Sequence, residues 1–160
     1  MRTRHLIYKA ILALAAATAI GALPGCRSAK LSTANEQRLR GEYFEASKTY
    51  RKVYNKLTKK EQRSQRGEVA YLMGLCYDKL SMSARASSAF GNAIRYGYPD
   101  STAILLMAQS LQAEGKYAQA KKAYNEYLEK DPQSKAARNG LAGCEIALQQ
   151  RENPTRYVVK

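Results

Sequence analysis

A period of thirty-four residues runs through this 160-residue chain. Such a period constrains the fold more tightly than composition does, because a unit that short cannot bury its own apolar face and must stack on its neighbours. The clearest unit begins near Ser101. Ile104, Met107, Ala108 and Leu111 fall at i, i+3, i+4 and i+7, on one face of a helix. Gly115 follows, suited to the left-handed residue after a helix end. Tyr117, Ala120, Tyr124, Tyr127 and Leu128 form a second amphipathic face. Asp131 is then an N-cap for a further helix, with Pro132 in its first turn. Thirty-four residues earlier, Ala70, Met73, Gly74 and Tyr77 mark a first helix and Ala86, Phe90, Ala93 and Ile94 a second, before Pro99 closes the unit. A shift of forty more gives a weaker copy. There Ala34 stands for Gly74, Gly41-Glu42-Tyr43 for Gly115-Lys116-Tyr117, and Ala46, Tyr50 and Val53 fill the second helix. The six extra residues lie around Lys59 to Arg66, where Thr58 and Glu61 have the capping-box spacing and predict a longer first helix starting there.

These anchors closely resemble those of the tetratricopeptide repeat. No unit has that family's Trp; Ala70 and Ile104 stand in its place. The resemblance implies an all-α solenoid of three helix-turn-helix repeats, at about 27–60, 67–100 and 101–134, within a domain spanning 32–150. A capping helix is expected at 132–150, with Leu141, Ala142, Ile146 and Leu148 covering the last repeat and Glu145, Gln149, Gln150 and Arg151 facing water. The remaining residues, 151–160, are expected as an extended tail containing the β-prone Tyr157-Val158-Val159.

The N-terminus reads as an address. Arg2, Arg4 and Lys9 precede an apolar run from Ala10 to Ala22, too short for a bilayer span but the right length for a signal peptide. The run ends Leu23-Pro24-Gly25-Cys26, which resembles a bacterial lipobox, with Pro24 an unusual occupant. The resemblance implies removal of residues 1–25, acylation of Cys26 and a short anchor and linker over 26–31. The alternative is an ordinary cleaved signal followed by a cysteine of no consequence. Arg27 follows Cys26 where an inner-membrane retention signal would have Asp, so the expected location is the periplasmic face of the outer membrane. The combination resembles repeat-containing lipoproteins of a Bacteroidota-like outer membrane, in which similar repeats form the N-terminal segment of OmpA-family peptidoglycan-associated proteins.

Residue types argue against catalysis. The only histidine, His5, lies in the segment expected to be removed, which deprives the remainder of the commonest general base and of a zinc ligand. No phosphate-cradling glycine motif and no C-x-x-C is present, and no carboxylate or lysine pair stands out from an ordinary solvated helix face. Neither a cofactor nor a metal site is expected. Cys76 and Cys144 fall in repeats that are not neighbours, too far apart for a disulfide, and are expected as buried free thiols.

Two surfaces could bind a partner. Lys plus Arg number 27 against 13 acids, and part of that excess forms a run of Lys48, Arg51, Lys52, Lys56, Lys59, Lys60, Arg63 and Arg66, interrupted only by Glu61. Export would exclude nucleic acid and leave anionic lipid head groups or an acidic protein face; the run also reads as a solvated helix face that keeps the chain soluble. The second surface follows from the family resemblance, which places the variable positions of the first helices along a concave groove. Here these are Asn35, Arg38, Glu68, Tyr71, Leu75, Asp78, Thr102, Leu105, Gln109 and Gln112, a mixture suited to an extended peptide or a partner helix. Tyr71 and Leu75 equally suit packing against a neighbouring helix. The carboxylate clamp of chaperone-tail receptors needs a Lys where Leu31 stands; Asn35 fits it, but the clamp is incomplete. The sequence thus points to a non-catalytic, lipid-anchored repeat protein that binds a protein or peptide as a scaffold in the cell envelope. The alternative expectation is the repeat segment of a larger protein tethering the outer membrane to peptidoglycan, as in a type IX secretion-like component.

Overall fold

The computed structural model describes residues 25–153. Among them are seven α-helices and no strand: α1 (Gly25–Leu39), α2 (Tyr43–Lys56), α3 (Arg63–Lys79), α4 (Ser83–Arg95), α5 (Thr102–Ala113), α6 (Tyr117–Leu128) and α7 (Lys135–Glu152). Each helix packs on the next, and α7 also reaches back to α5. The result is an all-α solenoid of three helix hairpins with a closing helix. Residues 1–24, most of the expected signal peptide, and 154–160 lie outside the described residues; Arg151 and Glu152, expected in an extended tail, instead end the last helix.

The period is written into the turns. Gly41, Gly97 and Gly115 have φ of 79°, 78° and 74°, and Ser81 takes the same left-handed conformation at 55°. At each of the four, the same two bonds close the preceding helix. For α5 these are Gly115 N–H to Gln112 O and Lys116 N–H to Leu111 O, both 2.9 Å. This pairing satisfies the carbonyls a helix end leaves free. Ser81 occupies the glycine position of the second repeat at a steric cost that glycine avoids.

The core alternates small and aromatic residues. Ala34, Gly74 and Ala108 sit on the first helices and Tyr50, Phe90 and Tyr124 on the second, all buried. A Cβ at Gly74 would stand 2.6 Å from the ring of Phe90, so only glycine lets α3 and α4 approach this closely. Two apolar clusters result. One joins α1 to α4, and the other joins α5 to α7; Met107 packs against both, so the core is continuous.

Three helix starts and one helix face differ from those expected. α1 begins at Gly25, so residues 26–31, expected as a linker, are helical. α3 begins at Arg63 rather than at Lys59, because Leu57 leaves α2 extended and buried and the next residues form a turn. In that turn Thr58 N–H donates to Gln62 Oε1 at 3.1 Å and the Thr58 hydroxyl to Glu61 at 3.4 Å, so the capping-box pair closes a turn and no helix starts at it. The closing helix starts at Lys135, not at Pro132. Ser134 is its N-cap, accepting from Ala137 N–H at 3.4 Å, while Asp131 accepts from Gln133 N–H in a preceding turn. Its face is also rotated. Ala137, Leu141 and Cys144 turn inward at spacings of four and three, leaving Ile146 52% exposed and Ala142 exposed instead of covering the last repeat. Glu145 and Arg151 are not simply solvated: Glu145 pairs with Lys121 at 2.7 Å and Arg151 lies over the Tyr117 ring.

Candidate partner-binding surface

The first helices α1, α3 and α5 carry all ten of the groove positions, and the structure sorts them by availability. Asn35 and Gln112 are committed inward. The Tyr50 hydroxyl donates to Asn35 Oδ1 and the Tyr124 hydroxyl to Gln112 Oε1, each at 2.6 Å. Both aromatic rings are core residues, so these amides satisfy buried hydroxyls that would otherwise be costly. Burial pushes the Tyr124 hydroxyl up to about 12, which keeps it a donor. Arg38 is half-buried beside Tyr50, whose pKa burial raises and that guanidinium partly restores. The Thr102 hydroxyl is buried without a partner.

What remains accessible is narrower. Tyr71, Leu75 and Leu105 are half-buried, and Glu68, Asp78 and Gln109 are exposed. Tyr71 stacks on Tyr98 with ring centroids 4.2 Å apart and leans on Phe90 at 5.9 Å. Packing against neighbouring elements therefore holds the ring, and its outer edge stays half-open. Tyr98, in the connection between α4 and α5, completes this aromatic wall. It was not among the sequence candidates because its partner lies twenty-seven residues away.

The basic run does not form one patch. Arg66 is buried, with its guanidinium 3.9 Å from the Tyr54 ring and 5.0 Å from that of Tyr96. It donates to the carbonyls of Tyr54 (2.8 Å) and Leu57 (2.6 Å) and so fastens the C-terminal end of α2 to α3. The same guanidinium lowers the Tyr96 pKa, whereas burial raises that of Tyr54. Arg63 donates to Arg95 O and lies over Tyr96. Lys48 pairs with Glu45 at 3.2 Å and sits over Phe44. Lys52, Lys56, Lys59 and Lys60 are exposed, and so is Arg51, which joins Arg85 of α4 at a cleft between α2 and α4. Arg85 stands outside the sequence run, and only the hairpin stacking brings it to Arg51.

Among the described residues no group of three or more His, Cys, Asp or Glu side chains is placed to hold a metal ion. Cys76 and Cys144 are buried and free, and burial pushes the Cys76 thiol up to about 11 and raises that of Cys144, which suppresses the reactive thiolate of both. No described helix is long and apolar enough to cross a membrane.

The tetratricopeptide-repeat family pattern matches residues 111–152, from the end of α5 through α7. Solved structures with the same fold include the first such domain of Spaghetti (RPAP3) bound to an HSP90 peptide (23% identity, covering 77% of this chain and 93% of that one, TM-score 0.62). The second such domain of human RPAP3, in complex with an HSP70 peptide, is 18% identical over 77% of this chain and 98% of its own (TM-score 0.63). The Sgt2 domain of Aspergillus fumigatus is 17% identical over 81% and 83% (TM-score 0.60). No curated protein matches the sequence. The fold is that of a tetratricopeptide-repeat solenoid.

Proposed function

We propose that the protein is a non-catalytic scaffold that receives an extended peptide along the face made by α1, α3 and α5. The observation that carries this reading is the half-buried strip of Tyr71, Leu75 and Leu105 on consecutive first helices, bordered by the exposed Glu68, Asp78 and Gln109. Apolar pockets flanked by polar groups are what an extended ligand needs for affinity and register. Two of the similar structures hold chaperone-derived peptides, which supports a peptide over a small molecule. With Leu31 where the carboxylate clamp needs a lysine, an internal peptide segment fits this face better than a free C-terminus. The lipobox-like Leu23-Pro24-Gly25-Cys26 further supports a lipid anchor at Cys26 and a place at the periplasmic face of the outer membrane.

Selection of displayed peptides against residues 26–160 tests the groove. The ligands recovered should lose about tenfold or more in affinity to Tyr71→Ala with Gln109→Ala, at unchanged helicity. Ligands indifferent to that pair would refute the assignment. Anchoring is tested separately by fractionating a Cys26→Ser variant: loss from the outer membrane is expected, and retention at the wild-type level would reject the lipid anchor.

A further inference from the structure

The basic run divides because part of it turns into a cleft on the opposite helices. Between α2 and α4 lies a cleft of about 410 Å³ lined by Phe44, Lys48, Arg51, Tyr77, Met82 and Arg85, together with Ser47. A second cleft of about 300 Å³ shares Arg51, Tyr77 and Arg85 with it and extends along α4 to Asn92. Neither has an acidic residue in its wall. Lys48 is paired with Glu45, but neither Arg51 nor Arg85 has a carboxylate partner among the described residues. Arg85 is held over the Tyr77 ring at 5.9 Å and donates weakly to Met82 Sδ, so its guanidinium is positioned without being neutralised. Phe44, Tyr77 and Met82 contribute apolar surface to the wall, and Phe44 is 52% exposed.

The stacking repeats this cleft one unit later, which gives an internal comparison. Thirty-four residues on, Met73, Tyr77, Arg85, Ala89 and Asn92 become Met107, Leu111, Gln119, Ala123 and Glu126, all lining a cleft of about 390 Å³. There Arg85 has become Gln119 and Asn92 has become Glu126, while Ser88 has become Lys122 and Lys116 is already paired with Glu114 at 2.6 Å. The fold therefore supplies the concavity, and only at the first junction is it lined by two arginines with no carboxylate in the wall.

We infer that the cleft between α2 and α4 is a second binding site, for an extended acidic peptide segment in which carboxylates alternate with apolar side chains. Two unneutralised guanidiniums offer bidentate partners for carboxylates. Phe44, Tyr77 and Met82 offer apolar contact between them. Two clefts joined through shared residues fit an extended chain better than a compact anion. The site is distinct from the α1–α3–α5 face and does not depend on it.

The test uses a fluorescein-labelled octapeptide alternating glutamate and leucine, its glutamine counterpart, inorganic phosphate and phosphatidylglycerol vesicles. Saturable binding of the acidic octapeptide is expected at physiological salt, at least about tenfold tighter than the glutamine form. Arg51→Gln with Arg85→Gln should reduce it about tenfold, whereas Lys130→Gln with Lys135→Gln, which removes the same charge elsewhere, should change it less than about twofold. All four residues are exposed, so none of these variants should alter helicity. The Tyr71→Ala, Gln109→Ala pair should leave this binding intact, which separates the two surfaces. Absence of saturable octapeptide binding would overturn the inference. So would equal losses in both charge variants, or binding of phosphate or of the vesicles, but not the octapeptide, through Arg51 and Arg85.

Discussion

The junction between the first and second hairpins and that between the second and third use the same backbone, yet they are held together differently. At the first, Arg66 lies buried between Tyr54 and Tyr96 and bonds two carbonyls at the C-terminal end of α2, and the neighbouring cleft carries uncompensated arginines. At the second, Ser87 and Lys116 converge on the mostly buried carboxylate of Glu114, and the cleft contains Glu126. The small-to-aromatic pairs that set helix spacing are common to both. The difference teaches that the period specifies the stack while the positions between the anchors specify its electrostatics.

The largest expected effect breaks the first junction. Arg66→Ala strands the Leu57 carbonyl and empties the space between two rings, and should cost about 2–4 kcal/mol. Lys116→Ala at the second junction should cost less, about 0.5–1 kcal/mol, since the Lys116 ammonium is half-exposed and Ser87 still bonds the Glu114 carboxylate. Similar losses in chemical denaturation would mean that the two junctions are not held differently. Next in size, Gly74→Leu forces a side chain into Phe90 and should cost about 1–3 kcal/mol. The exposed Gln119→Ala should stay within about 0.5 kcal/mol, and equal melting temperatures for the two would break the packing account.

A smaller effect depends on pH. Burial raises the Glu114 pKa, but Lys116 and Ser87 outweigh it and the net shift is downward. A carboxylate with a depressed folded-state pKa adds stability above its unfolded value of about 4.3, and that contribution is lost as pH falls through the folded value. The stability advantage of the parent chain over Glu114→Gln should thus hold from neutral pH to about 5 and shrink below about 4. An advantage independent of pH would mean that Glu114 acts by packing alone. Smallest of all, Ser81→Gly places glycine where φ is 55° and should raise stability by about 0.5–1 kcal/mol; no gain in melting temperature would indicate that Ser81 is unstrained.

The anchors were legible because they repeat. Gly115 announced a left-handed turn, and Gly74 held the small-residue anchor of a first helix; both are where the period put them. Helix starts were less legible, because Thr58 and Asp131 each have a polar side chain able to cap a helix, and tertiary packing of Leu57 and the turn before Ser134 decided otherwise. Arg66 read as exposed, the default for an arginine, since its ring partner Tyr96 lies thirty residues away. Asn35 and Gln112 read as groove residues because helical spacing fixes which helix a residue is on, not which buried hydroxyl it will satisfy. The cationic cleft needed Arg85 beside Arg51, a pairing that only the stacked hairpins create.

Amide hydrogen exchange with a selected peptide tests the central claim most directly. The account predicts added protection confined to α1, α3 and α5, centred on Tyr71, Leu75 and Leu105, with α2 and α4 unchanged. Protection on α2 and α4 alone, or on none of the first helices, would contradict it.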